Sequence, residues 1–323
     1  MATATPLVSD PALPWIERFR PVYLNDIAGN KETVERLKII AQQSNMTNII
    51  LSGTPGIGKT TSILCLAREL LDGAYREAAL ELNASDDRGI GVVRNRIKMF
   101  AQKKVAPPPR ADSVTLGAQQ ALRHTMEIYS NTTRFALACN MSSKIIEPIQ
   151  SRCAMLRFDR LSDEEMTKRL LEICKQEEVP HSPDGIEALI FSAEGDMRQA
   201  INNLQSTYYG FGYVSADHVF KVCDQPHPAV VSRILLSCQQ GDIDVAVRGV
   251  SDLWDQGYSS IDIVTTLFRV AKLSNELEEY TKLEYIKEIG LTHMRVLDGV
   301  QTLLQLSGLM ARLCQLGSAA KPS

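Results

Sequence analysis

Hydrophobic positions follow two regimes along the chain. In the first half, short apolar runs alternate with longer stretches of helical spacing. "MTNIILSG" at 46–53 is an apolar run closed by a glycine and predicts a buried strand, while "KTTSILCLARELL" at 59–71 puts Ile63, Leu66 and Leu70 on one helix face. "AALELNAS" at 78–85 predicts a second strand, and "DDRGIGVVRNRIKMFAQKK" at 86–104 a second helix capped by Asp86 or Asp87. "TRFALACN" at 133–140 predicts a third strand, apolar throughout and so covered on both faces. Strands alternating with helices imply a parallel sheet, hence an α/β domain. Beyond about residue 160 the strand signal stops, and "DEEMTKRLLEICKQEEV", "PDGIEALIFSAEG" and "DMRQAINNLQSTY" predict helices in succession. "CDQPHPAVV" at 223–231 is the linker candidate, with a helical pattern after it. The plan is an α/β domain at 1–160, a small helical lid at 161–224 and an all-helical domain at 225–323.

Composition changes this picture little. The 323 residues are 44% hydrophobic and 23% charged, an ordinary globular balance. No stretch approaches the about 18–20 uninterrupted apolar residues of a membrane span, and "MATATPLVSDPALPW" has no basic start followed by an apolar run. A soluble, non-secreted protein without a membrane partner is expected. The seven cysteines are scattered with no CxxC pair, which suggests neither a zinc site nor a disulfide framework and points to a reducing compartment. Net charge is only −3, but from Arg88 to Arg110 there are seven Lys or Arg and no Asp or Glu.

The chemistry sits in "GTPGIGKTT", Gly53 to Thr61, which matches GxxxxGK[ST] between a predicted strand and a predicted helix. Gly53, Gly56 and Gly58 let the backbone curl so that successive N–H groups point inward at phosphate oxygens, which makes the loop residues Gly53, Thr54, Pro55, Gly56, Ile57, Gly58, Lys59, Thr60 and Thr61 the phosphate-binding candidates. Lys59 reaches for the terminal phosphates, and Thr60 offers its hydroxyl to magnesium. Hydrolysis requires in addition an acid near the metal, a group that orients water and a cation on the phosphates. Spacing alone leaves Arg152 in "QSRCAM" and Arg198 in "EGDMRQAINN" as surface or structural arginines.

"PWIERFRPVYLNDIAGN", "GTPGIGKTT", "LELNASDDRGI", "ACN", "IIEPIQSRC" and "GDMRQAINNLQST" together resemble the small subunits of replication factor C, the eukaryotic sliding-clamp loader of the AAA+ class. The likeness runs from Pro14 to about Leu313 and takes in "CDQPHP" and "IKEIGLTHMR". It implies an AAA+ P-loop domain with a helical lid and a carboxy-terminal collar, ATP and Mg2+ as cofactors, and a nuclear heteropentamer with other replication factor C subunits. It implies further that the complex acts on a sliding clamp and on primer-template DNA. By the same resemblance Ile16, Pro21 and Ala28 border the adenine, Asn140 is the sensor at the terminal phosphate, and Arg198 reaches the chain's own nucleotide from the lid. Arg152 matches the arginine finger inserted into a neighbour's site. In the family the helix beginning near Ile90 tracks duplex phosphates, which makes Arg88, Arg94 and Lys98 the DNA-binding candidates; the alternative is a solvated basic face. Met99 and Phe100 could meet the clamp, or Phe100 could be core. A standalone motor such as a Holliday-junction helicase shares the phosphate loop and sensors and is the distant rival.

One family element is missing. The strand before the Asn140 strand should end in Asp-Glu-Ala-Asp, whose first Asp orders the magnesium shell and whose Glu polarises water. Here "VAPPPRADSV" at 105–114 passes from a proline turn straight to a match for the tail of that motif, so that Asp112 is not a metal ligand. About a strand's worth of sequence with both acids is absent. The family strand is expected to be central and next to the phosphate-loop strand. A gene model or splice form lacking part of an exon, a compensated subunit that binds without hydrolysing, and a nonfunctional product each account for the gap.

Overall fold

The computed structural model describes residues 13–43, 46–71, 75, 79–80 and 116–319. The chain divides into two compact units, Met1–Val214 and Ser215–Ser323. Most of the second predicted strand, the basic helix and the shortened segment lie outside the described residues. So do Arg88, Arg94, Lys98, Met99, Phe100 and Asp112.

In the first unit the described residues hold one parallel sheet of three short strands, β1 (Ile49–Ser52), β2 (Ala136–Cys139) and β3 (Ala154–Arg157), in the order β2-β1-β3. Ile49 pairs with Ala136 on one side and Ala154 on the other, and the register continues to Ser52 opposite Cys139 and Arg157. Every residue of β1 and β2 is buried. The reason is alternation over two covered faces. Ile49, Leu51, Ala136 and Ala138 pack with Leu37 of α2 (Lys31–Gln43) and Ile63 and Leu66 of α3 (Lys59–Leu71). Ile50, Leu137 and Cys139 turn the other way, onto Leu122 and Met126 of α4 (Leu116–Ile128) and Ile149 of the short helix α5 (Glu147–Gln150).

One strand was not expected. β3 carries no strong apolar signal: only Leu156 is buried, so an edge strand was hidden behind the Ser-Arg-Cys turn. β1 is hydrogen-bonded on both edges by β2 and β3, both of which the chain retains.

Three helices follow β3 in the same unit: α6 (Asp163–Gln176), α7 (Pro183–Ala193) and α8 (Met197–Phe211). Their starts are chemically marked. Ser162 and Glu165 form a reciprocal cap on α6, Ser182 followed by Pro183 opens α7, and Asp196 accepts from the Arg198 and Gln199 N–H groups at the start of α8. The amino-terminal helix α1 (Trp15–Arg18) packs against α8. The Trp15 ring stacks on Tyr208 at 5.8 Å, the Trp15 backbone N–H donates to Gln205 Oε1 at 3.0 Å, and Arg18 pairs with Glu177.

The described residues of the second unit form helices joined by short turns, with no strand among them: α9 (Ala216–Cys223), α10 (Pro228–Gln240), α11 (Ile243–Asp255), α12 (Ser260–Leu273), α13 (Glu279–Leu297) and α14 (Leu303–Ala319). Ser215, His227, Asp242 and Ser259 cap successive helices with their side chains. The expected linker spans the end of α9, its left-handed cap at Asp224 and the first turn of α10. Among the described residues no helix is long and apolar enough to cross a membrane.

Candidate functional site

β1 ends at Ser52 and hands the chain to the glycine loop, whose last turn becomes α3 at Lys59. Backbone packing fixes this loop. A Cβ at Gly53 would stand 2.3 Å from the carbonyl oxygen of Phe158, and one at Gly56 would stand 1.6 Å from Asp196 Oδ1. Gly56 also has φ +68°. Both contacts require glycine, the first because a carbonyl oxygen cannot turn aside, the second because Asp196 is committed to capping α8. Thus the loop at the tip of β1 is seated between the segment leaving β3 and the helix that carries Arg198.

Lys59 is buried and donates from Nζ to the carbonyls of Gly53 at 2.7 Å and Thr54 at 2.6 Å and to Asn140 Oδ1 at 3.2 Å. Asn140 directly follows β2, and β2 lies beside β1, so the sheet order brings these two side chains together from positions 81 residues apart. A buried ammonium hydrogen-bonded at a strand end is a cation held ready for an anion.

Around the loop is a cavity of about 210 Å³. It is lined by Ile16, Pro21, Ala28, Pro55, Gly56, Ile57, Gly58, Lys59, Thr60, Thr61, Asn140 and Arg198. Residues from four separate stretches named in the sequence therefore meet at one place. Gly53 lines a second, open cavity that shares Asn140, beyond the strand ends, and the Thr54 carbonyl serves Lys59. Arg152 lies apart from both cavities. Its Nη2 donates to Glu127 Oε1 at 2.7 Å and its Nη1 to the Pro148 carbonyl at 2.6 Å, with a partly exposed guanidinium.

The cavity also holds residues that motif reading passed over. Arg20 donates from Nε to Thr61 Oγ1 at 3.4 Å and from Nη1 to Glu17 at 3.0 Å. Arg169 of α6 reaches across to the Phe19 carbonyl at 2.7 Å. Outside the cavity lining, Cys65 of α3 donates its thiol to the carbonyl of the lining residue Pro21 at 3.3 Å, and burial pushes that thiol up to about 12, so it stays a neutral donor. Each links segments more than 40 residues apart, which no local period reveals. Glu127 is held below its ordinary value first by its hydrogen bond with Arg123, with Arg123 and Arg152 charges adding to this; it is therefore an anion beside Arg152 at neutral pH.

Lys59 and Arg198, with Arg20 and Arg169 in the same lining, beside a glycine loop between strand and helix form a phosphate-binding arrangement. Thr60 at the start of α3 can offer a hydroxyl to a metal ion. Among the described residues no cluster of three or more His, Cys, Asp or Glu side chains is placed to hold one. A magnesium ion here fits only as a partner of nucleotide phosphates, water and Thr60, in line with that ion's habit of keeping waters and binding through phosphates.

Residues 226–312 match the replication factor C C-terminal domain. Replication factor C subunit 4 of Schizosaccharomyces pombe is 61% identical over 319 residues, covering 96% of this chain and 93% of the relative. The chain belongs to the replication factor C family. Replication factor C subunit 4 of Saccharomyces cerevisiae is 60% identical over 317 residues, with 95% of this chain and 98% of the relative covered. The replication factor C small subunit of Methanosarcina barkeri is 40% identical over 316 residues, covering 92% and 95%. Among solved structures, the Holliday junction branch migration motor RuvB of Thermotoga maritima matches with a TM-score of 0.55 at 16% identity, over 68% of this chain and 78% of that one. That likeness shows the AAA+ P-loop fold alone. With the match at 226–312 in the helical second unit, the fold class read from the sequence stands.

Proposed function

We propose that this replication factor C chain is an ATP-binding subunit of a nuclear clamp loader that places a sliding clamp on primed DNA in replication and repair. The observation that carries the reading is the convergence of the glycine loop, Lys59, Asn140 and Arg198 on one cavity, with Arg152 displayed elsewhere on the same unit. In this account Pro55 to Thr61 cradle the phosphates, Ile16, Pro21 and Ala28 border the base, and Asn140 and Arg198 face the terminal phosphate. Arg152 serves a neighbouring chain's nucleotide. The three functional parts are an α/β nucleotide domain at 1–160, a lid at 161–224 and a collar at 225–323.

Assembly is supported by the second unit's surface. On α13, Thr281, Tyr285, Ile289, Thr292 and Val296 are buried, while Tyr280, Leu283, Leu291, Met294 and Leu297 share another face and are exposed. Leu304 at the start of α14 is 82% exposed. A helix apolar on two faces suits a subunit that packs against others of its complex. DNA is proposed to be followed through its phosphates by Arg88, Arg94 and Lys98.

A second reading within the same complex is a subunit that holds ATP, donates Arg152 and does not hydrolyse. The observation favouring it is the sequence from Val105 to Val114, which lacks the Asp-Glu pair on which water activation depends. On either reading the finger is testable. Arg152→Ala should leave this chain's nucleotide affinity within about twofold while lowering the assembled complex's turnover at the neighbouring site about 100-fold or more. Loss of nucleotide from this chain instead would remove the assignment.

A further inference from the structure

We infer that Asn30 is a positioning residue for base selection: by clipping the loop that carries Ala28 to the segment leaving β3, it sets the width of the base end of the cavity. The inference rests on the nucleotide-binding reading and deepens it.

The clip is a two-bond ring. Asn30 Oδ1 accepts from the Asp159 N–H at 2.7 Å, and Asn30 Nδ2 donates to the Asp159 carbonyl at 3.1 Å, joining positions 129 residues apart. Both polar groups of one peptide position are thus satisfied by one side chain, which fixes orientation as well as distance. Asn30 sits at φ +50°, a left-handed conformation that Asn tolerates through its short polar side chain. Thr33 adds a bond from Oγ1 to the Arg157 carbonyl at 2.9 Å.

Close packing removes the remaining freedom. A Cβ on Gly29 would stand 2.4 Å from Leu161 Cδ2 and 2.6 Å from Glu165 Oε2. Ile27 and Ala28, just before this clip, line the cavity, and so does Leu161, just after it. Residues 157–161 also receive the glycine loop through the contact between Gly53 and the Phe158 carbonyl. The base wall and the phosphate cradle are consequently seated on the same short segment, and Asn30 is the polar tie of the base wall. Guanine differs from adenine by a 2-amino group and a 6-oxo group, so a wall held at fixed distance distinguishes the two by shape, and a loosened wall loses that distinction.

The test uses the full chain and compares equilibrium binding of ATP and GTP. Asn30→Gly keeps the left-handed backbone available and removes both bonds. It should lower ATP affinity about tenfold and change GTP affinity less than about twofold, so the ATP-to-GTP preference shrinks about tenfold. Asn30→Asp keeps an acceptor for the Asp159 N–H and should shrink the preference only about threefold. This second variant decides the matter if the first does not fold. Equal losses of ATP and GTP, or a preference within about twofold of wild type in a folded variant, would overturn the positioning role. Failure of the underlying reading looks different: the wild-type chain would bind neither nucleotide, or Lys59→Ala would bind both as wild type does.

Discussion

The phosphate loop and the surface-bearing helix α13 place particular glycines in opposite surroundings. Gly53 and Gly56 of the first unit are pressed against the Phe158 carbonyl and the Asp196 carboxylate, whereas Gly290 of α13 and Gly308 of α14 have nothing within 4 Å of where a Cβ would stand. Apolar side chains show the reverse contrast. The strands of the phosphate site are buried on both faces, while α13 leaves Tyr280, Leu283 and Met294 in solvent. In the first unit backbone packed on backbone builds a site; in the second, side chains left uncovered offer a surface. The lesson is that one chain holds two kinds of functional information, one intolerant of a single added methyl group and the other carried outward on a stable helix bundle.

This contrast can be broken most sharply at Gly53. Gly53→Ala must displace the Phe158 backbone, and should cost about 1–3 kcal/mol of stability together with about a 100-fold loss of nucleotide affinity, measured by thermal melting and equilibrium binding. Ordinary ATP binding by this variant would show that the loop is not seated as described. A smaller effect is expected on the other unit's surface. Leu283→Asp combined with Met294→Asp should weaken incorporation into the complex about tenfold or more, read by co-purification with the other subunits, while the isolated chain melts within about 0.5 kcal/mol of wild type. The least effect, of opposite sign, belongs to Gly290→Ala. With open space at its Cβ inside α13, alanine should stabilise the isolated chain by about 0.5–1 kcal/mol and leave nucleotide binding alone.

Legibility of the two units in the sequence followed the same division. Capped amphipathic helices announce themselves locally, so "DEEMTKRLLEICKQEEV" reads as α6 and its neighbours as α7 and α8 with ends off by only a few residues. The glycine loop is equally local. β3 was not legible, because four residues with one buried side chain give no pattern. Nor was the strand order β2-β1-β3, since neighbours in a parallel sheet are set by crossovers and not by order in the chain. The roles proposed for Arg152, Asn140 and Arg198 came from resemblance, and their surroundings came only from the fold. The pairs Asn30 with Asp159, Arg152 with Glu127 and Arg169 with Phe19 join residues 129, 25 and 150 apart. Hydrophobic periodicity is blind to such polar ties, because the partners sit in loops and at helix ends.

The proposal most exposed to test is that this chain holds ATP in the cavity of Lys59, Asn140 and Arg198, and on the second reading holds it without hydrolysis. The most direct measurement incubates the assembled complex, with the other subunits' sites disabled at their phosphate-loop lysines, with labelled ATP, and identifies the nucleotide recovered from this chain. The account predicts one ATP per chain, recovered intact and absent in Lys59→Ala. Recovery of ADP would remove the non-hydrolysing reading, and recovery of no nucleotide, or equal recovery from Lys59→Ala, would contradict the account as a whole.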